Sequence, residues 1–250
     1  MSAGVALVTG AAQGIGAAVA AAFAAQGTPV ALLDRDAAVE ATAKEVDGLA
    51  LLADVTDAAA VEAAVARAEA ELGPLTALAN VAGILRTGPL LDLPDGALVD
   101  SLAVNTTGVW NAGRAVGRRM YARGAGSIVT VGSNAGATPR TGMAAYSASK
   151  AAAAALTRAL GLELAPHVRC NVVCPGSTDT PMLRGMWADP EADRGRVIAG
   201  TPAEYRLGIP LQRLAEPADV AGVVVFLAGP AARHVTMQSI TVDGGATLGT

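Results

Sequence analysis

The sequence predicts an α/β fold of the Rossmann type: a doubly wound, parallel, seven-stranded sheet with helices on both faces. Three observations carry that expectation. Short apolar runs alternate with longer Ala-rich runs of helical period along the chain. The strand-like runs are continuously apolar, as a parallel sheet covered on both faces requires. A glycine-rich turn, Gly10-Ala-Ala-Gln-Gly14-Ile-Gly16, joins the first strand-like run to the first helical one. The 250 residues fit one domain, 1–250, with enough chain to bury a full core.

Val5–Thr9 is the first expected strand, followed by the glycine turn and an Ala-rich helix. Pro29–Asp34 is the second and Leu49–Val55 the third. Val61, Val65, Ala68 and Leu72 then recur at helical spacing; Thr56 or Asp57 can cap that helix, and Gly73-Pro74 ends it. Leu75–Ala82 is the fourth strand and Ser127–Gly132 the fifth, the latter β-branched and delivering Ser133 at its end. Beyond Gly142 an Ala-rich helix carries Tyr146 and Lys150; Val168–Cys174 and Ser239–Val242 complete the sheet. The longest irregular stretch runs from Pro175 to about Leu214. A piece of that length inside a compact domain reads as a substrate lid, at about 177–214, rather than a second domain.

Hydrophobic residues make up 52% and aromatics only 3%, so packing rests on Ala, Val and Leu. The net charge of −4, with no block of like charge, argues against nucleic acid and anionic membrane surfaces as partners. No charged residue precedes Asp34, but Gly10, Gln13, Gly14, Gly16, Gly27 and Pro29 interrupt that stretch. It lacks the basic start of a signal peptide and the ~20 apolar residues of a spanning helix. A cytoplasmic chain is expected. Cys170 and Cys174 would stand about 13 Å apart along a strand, too far for a disulfide, and no His cluster accompanies them to make a metal site. They read as buried small hydrophobes.

The glycine turn suits a dinucleotide pyrophosphate, because it brings backbone close and a helix N-terminus offers free N–H groups. Asp34 closes the second strand, where a carboxylate accepts ribose hydroxyls of NAD and repels a 2′-phosphate; Arg35 beside it pulls the other way. Asp54 ends the third strand, placed for the adenine amino group. Asn80-Val-Ala-Gly83 ends the fourth with residues small enough for a cofactor to lie close. Tyr146 and Lys150, four apart on a helix, share one face. A free phenol has a pKa of about 10, and a neighbouring ammonium favours the phenolate that could act as a base. Ser133 could orient an alcohol or carbonyl oxygen between them.

In this order and spacing the glycine turn, Asp34, Asn80-Val-Ala-Gly83, Ser133 and Tyr146-x-x-x-Lys150 resemble the short-chain dehydrogenase/reductase family over essentially the whole chain. Asn105 in Val104-Asn-Thr-Thr-Gly108, Pro175-Gly-Ser-Thr-Asp-Thr180 and Val242-Asp-Gly-Gly245 extend the resemblance. Asn80-Val81 departs mildly from the Asn-Asn of many members. The resemblance implies NAD held by Gly10, Gln13, Gly14, Ile15, Gly16, Asp34, Asp54, Val55, Asn80, Ala82, Gly83, Tyr146, Lys150, Gly176, Thr178 and Thr180. It implies Tyr146 as the base, Lys150 lowering the tyrosine pKa and holding the nicotinamide ribose, Ser133 bonding the reacting oxygen, and Asn105 holding a relay water. It also implies a homotetramer packed through the helix of Tyr146 and Lys150.

Arg86 follows the fourth strand and Arg140 follows Ser133, so both belong at the ligand end of the sheet. Guanidinium pairs bidentately with carboxylate, which points to an acid substrate. The wording around Ala82-Gly-Ile-Leu-Arg86, Thr138-Pro-Arg140 and Leu207-Gly-Ile-Pro-Leu211 resembles that of family members oxidising the C3 ring alcohol of a 2,3-dihydro cyclohexadiene carboxylate. Met182, Leu183 and Trp187 would cover that flat ring. No residue separates a hydroxyl from an amino group at C2 of such a substrate. Two rival readings stay open. One is a 3-oxoacyl reductase with a basic entrance at Arg114, Arg118, Arg119 and Arg123, which Asp34 disfavours; the other is an NAD(H)-sensing protein, which the complete Tyr–Lys set disfavours. His167 and His234 lie outside the motifs and read as structural.

Overall fold

A computed structural model describes residues 4–249. Strands β1 (Val5–Thr9), β2 (Val30–Asp34), β3 (Leu49–Leu52), β4 (Leu75–Asn80), β5 (Gly126–Val131) and β6 (Val168–Pro175) join Ser239–Val242 in one seven-stranded sheet. A hairpin of β7 (Gly200–Thr201) and β8 (Arg206–Leu207) lies outside it, so Ser239–Val242 is β9. The sheet order is β3-β2-β1-β4-β5-β6-β9 with every pairing parallel, as expected from the unbroken apolar runs. Val5 to Val8 are fully buried. At about 1.5–3 kcal/mol for each large aliphatic side chain taken from water, such strands supply the main drive for folding.

Two apolar layers cover the sheet. Helix α1 (Gly14–Ala25) lays Val19, Ala20 and Phe23 on one face, together with Val39 and Ala43 of α2 (Val39–Glu45). Val61, Ala64, Val65 and Ala68 of α3 (Ala58–Leu72) cover the other face. Asp57 caps α3 by accepting from the amides of Ala59 and Ala60, and Gly73 closes it, so this helix has the limits its sequence announces. Helix α4 (Ala97–Leu102) runs through a π-helical turn, Ala103–Thr107, into α5 (Gly108–Arg123). The long helix α6 (Ala144–Glu163) follows β5.

Strand β1 pairs with β2 on one side and β4 on the other, which opens a crevice at their carboxyl ends. The third and fourth strands stop sooner than their apolar runs. β4 ends at Asn80 because the amides of Val81 and Ala82 turn to the Thr9 hydroxyl, at 3.0 and 3.2 Å. β3 ends at Leu52, where Ala53 makes a last bond to the Asp34 carbonyl and the chain swings outward.

The stretch after β6 is less irregular than expected. It holds α7 (Pro181–Arg184), α8 (Pro190–Ala199) and the β7–β8 hairpin before α9 (Pro217–Ala228) packs Val220, Ala221, Val224 and Val225 beside α1. Thr180-Pro181 and Asp189-Pro190 are the readable signals for those two short helices: each cap side chain accepts first-turn amides, and proline sits at the first helical position. Among the described residues no helix is long and apolar enough to cross a membrane.

Candidate active site

The crevice is a cleft of about 730 Å³ lined by the turns that follow β1 and β4, the ends of β2, β5 and β6, and the segment beyond β6. Helix α1 starts at its floor. Gln13, its cap, is extended and its side chain bonds no first-turn amide, whereas Asp57, Thr180 and Asp189 cap their helices. No acidic residue occupies the first turn of α1 either. These are the features of an N-terminus open to an anion. Gly16 packs so closely that an added Cβ would overlap the Gly10 carbonyl, which seats the helix on the turn.

Asp34 faces the cleft with its carboxylate fixed: one oxygen accepts from Ala12 N–H at 3.0 Å, the other from Asp36 N–H at 3.0 Å. Free lone pairs on both oxygens suit vicinal ribose hydroxyls. Asp54 accepts from the amide and hydroxyl of Thr56, both at 2.8 Å, and lies 3.7 Å from the Arg35 guanidinium. The Thr56 amide, then its hydroxyl and Arg35, hold the Asp54 carboxyl below the usual range against the opposing effect of burial. Gln13, Gly14, Ile15, Val55, Ala82, Gly83, Gly176, Thr178 and Thr180 also line the cleft. The open helix end, the fixed carboxylate and the small residues between them fit a dinucleotide. Asn80 stands apart: it is buried below the cleft, donating to Thr130 Oγ1 at 3.4 Å, with its own Oδ1 unpartnered.

Ser133, Tyr146 and Lys150 all line the cleft, with the Ser133 side chain within hydrogen-bonding reach of Tyr146. Ser133 follows β5 and accepts from Ala135 N–H at 3.1 Å, which orients its hydroxyl. Lys150 is buried and donates to the Val131 carbonyl at 2.9 Å; its Nζ is 5.9 Å from the Tyr146 ring centre. An added Cβ at Gly83 would stand 3.2 Å from Asn105 Oδ1 and 3.3 Å from Lys150 Nζ, a tight approach that would press both side chains back by a few tenths of an ångström.

The electrostatics differ from the expected lysine-lowered phenol. Burial pushes the Tyr146 phenol up, against the Ser133 hydroxyl, which favours the phenolate. Burial also brings the Lys150 ammonium down to about 8, with Cys174 opposing. Desolvation penalises both charged forms.

Asn105 is engaged through its side chain. Its amide donates to the Ile84 carbonyl at 3.0 Å and to Ser149 Oγ at 2.9 Å, while its Oδ1 accepts from Ile84 N–H at 2.8 Å. Ser149 in turn donates to the Tyr146 carbonyl at 2.7 Å. The side chain, set in the π-helical turn, is thus a bracket between the β4 exit and the helix of Tyr146. Both of its amide protons are committed.

Arg86, Arg140 and Met182 line the cleft, as does Leu183. Trp187 does not line it; its indole N–H is buried without a partner. Two further residues had no role assigned from the sequence. Asp243 accepts from Asn134 Nδ2, from Thr247 and from Gly245 N–H, tying the C-terminal turn to the residue after Ser133. Arg206, on β8, is the other. Asp243 lies in the Val242-Asp-Gly-Gly245 stretch, whose pattern marks the family without announcing these contacts, and Arg206 lies in no motif.

The short chain dehydrogenase family model matches residues 4–191. The chain is 49% identical to 2,3-dihydro-2,3-dihydroxybenzoate dehydrogenase of Bacillus subtilis over 98% of this chain and 96% of that protein. It is 44% identical to the enzyme of the same name from Escherichia coli K12, over 97% and 96% respectively. The crystal structure of a variant actinorhodin polyketide ketoreductase with NADPH superposes with a TM-score of 0.90 at 34% identity, covering 98% of this chain and 97% of the other. The cofactor is a nicotinamide dinucleotide, the substrate a small molecule. The chain belongs to the short chain dehydrogenase family and is an oxidoreductase acting on CH–OH groups.

Proposed function

We propose that this enzyme uses NAD to oxidise the C3 ring hydroxyl of 2,3-dihydro-2,3-dihydroxybenzoate, giving 2,3-dihydroxybenzoate for siderophore biosynthesis. The observation that carries this reading is that guanidinium groups line the same cleft as Ser133, Tyr146 and Lys150. A ring acid held there by its carboxylate presents a ring hydroxyl to the tyrosine. The names of the relatives at 49% and 44% identity agree with it.

The glycine turn, Asp34 and the α1 N-terminus would hold the dinucleotide, which when bound supplies the hydride acceptor. Ser133 donates to the substrate oxygen and orients it. Tyr146 takes the hydroxyl proton as the C3 hydrogen leaves with its electron pair. Lys150, held by the Val131 carbonyl, places positive charge behind the phenol. The C3 ketone then tautomerises, its C2 hydrogen leaving as a proton, and aromatisation makes the step effectively one-way. Segment 177–214 acts as the lid that keeps water from the transfer. Asp34 supports NAD over NADP. The protein acts in the cytoplasm as a homotetramer.

The basic entrance that a 3-oxoacyl reductase would need is weakened: Arg119 is paired with Glu62 and Glu69, Arg123 with Glu69, and none of these arginines lines the cleft. The test is initial rates of the purified enzyme with NAD and the dihydro acid, following the aromatic product. Faster turnover of the 2-amino analogue, or activity only on 3-oxoacyl thioesters with NADPH, would replace this substrate with that one.

A further inference from the structure

We propose that Arg206 determines specificity: the β7–β8 hairpin brings its guanidinium beside that of Arg140, and the pair clamps the substrate carboxylate. The inference rests on the reading above and names the groups that recognise the acid.

Two loops and the β7–β8 hairpin meet along the cleft, each contributing one arginine. Gly88 N–H donates to the Gly142 carbonyl at 2.9 Å, joining the loop of Arg86 to that of Arg140. Thr141 Oγ1 donates to the Glu204 carbonyl at 3.5 Å, joining the loop of Arg140 to the hairpin of Arg206. Arg206 pairs across that hairpin with Thr201, and Tyr205 before it holds a left-handed φ of 55° that turns the chain. All three arginines line the cleft.

Their charges are not equally free. Arg86 stands 3.6 Å from Asp100. The other arginines of segment 177–214, namely Arg184, Arg194, Arg196 and Arg213, each face a carboxylate: Asp179 for the first two, then Asp193 and Asp219. Among the described residues Arg206 and Arg140 have neither an ion pair nor a side-chain hydrogen bond. Burial and the like charge of Arg206 press the Arg140 guanidinium below its ordinary range, with Asp243 opposing. Asp243 is a poor partner, since its oxygens already accept from Asn134, Gly245 and Thr247. Two cations facing one cleft with no carboxylate in ion-pair contact are an unfavourable arrangement that one planar anion relieves. Because Arg206 rides on the lid segment, the carboxylate also ties that segment to the wall bearing Arg140. A neutral ring alcohol leaves the two like charges opposed.

The test compares wild type with Arg206→Gln, Arg206→Lys and a lid control, Arg196→Gln. KM and kcat are measured for the dihydro acid and its methyl ester; benzoate and benzamide binding to the NADH complex is followed by cofactor fluorescence. Arg206→Gln should raise the acid KM and the benzoate Kd by about tenfold or more, with kcat falling less, and should leave ester and benzamide within about twofold. Arg206→Lys should fall between, because it keeps the charge but loses the fork; Arg196→Gln should match wild type. An unchanged acid KM and benzoate Kd in Arg206→Gln, or equal losses on acid and ester, would overturn the proposal. If wild type does not oxidise the dihydro acid, the proposed reaction fails, and benzoate binding still decides the role of Arg206.

Discussion

Replacing Lys150 by Met removes a buried charge while keeping most of the aliphatic stem. The ammonium of Lys150, ordinarily at 10.5, is brought down to about 8 by burial. A charged lysine there costs the native state about 3 kcal/mol. Against this, the variant loses the 2.9 Å bond to the Val131 carbonyl, worth about 1–3 kcal/mol when a buried acceptor is left bare. Near neutral pH the two effects nearly offset, so the variant should be as stable as wild type or up to about 2 kcal/mol more stable. The pH dependence isolates the lysine. Below about 8 both native and unfolded chains hold the proton, and the penalty is present in full. Between about 8 and 10.5 the unfolded chain holds more protons than the native one, so wild-type stability rises with pH relative to the variant. From about pH 7 to 9.5 that rise should reach about 2 kcal/mol. Urea denaturation of both proteins across this range reads it directly, since all other groups are shared. A wild-type-minus-variant difference that stays flat, or falls with pH, would refute the claim that burial dominates at Lys150.

Tyr146→Phe should lower kcat by about 10²–10⁴-fold, as removal of a proton acceptor does, while NADH titration by fluorescence gives a Kd near wild type. Asp34→Asn removes the charge that repels a 2′-phosphate and keeps one of the two oxygens that accept from Ala12 and Asp36. The ratio of kcat/KM with NAD to that with NADP should fall by about tenfold or more, and an unchanged ratio would assign cofactor choice elsewhere. Trp110 and Trp187 are the only tryptophans, so Trp110→Phe leaves the lid residue as sole reporter. Its emission should change when benzoate joins the NADH complex; constant emission would argue against a lid that responds to the substrate.

Much of this protein is local in origin and therefore legible in its sequence. Short unbroken apolar runs between helical stretches read as strands of a covered parallel sheet, and Asp57 with Gly73-Pro74 limits α3 through bonds made within the helix itself. Cleft residues tied to a strand end, such as Gly10, Asp34, Gly83 and Ser133, inherit their place from the sheet. What depends on chain far away in sequence was not legible. Asn80, drawn inward by Thr130, and Asn105, occupied by Ile84 and Ser149, have the right residue types but partners that only packing supplies. Desolvation around Tyr146 and Lys150 arises from the surfaces that close over them, so no spacing rule shows its size. The freedom of Arg206, against the pairing of Arg86 with Asp100, is decided in the same way. Which charge stays unneutralised depends on which carboxylates the folded chain brings within reach, and sequence order does not carry that distance.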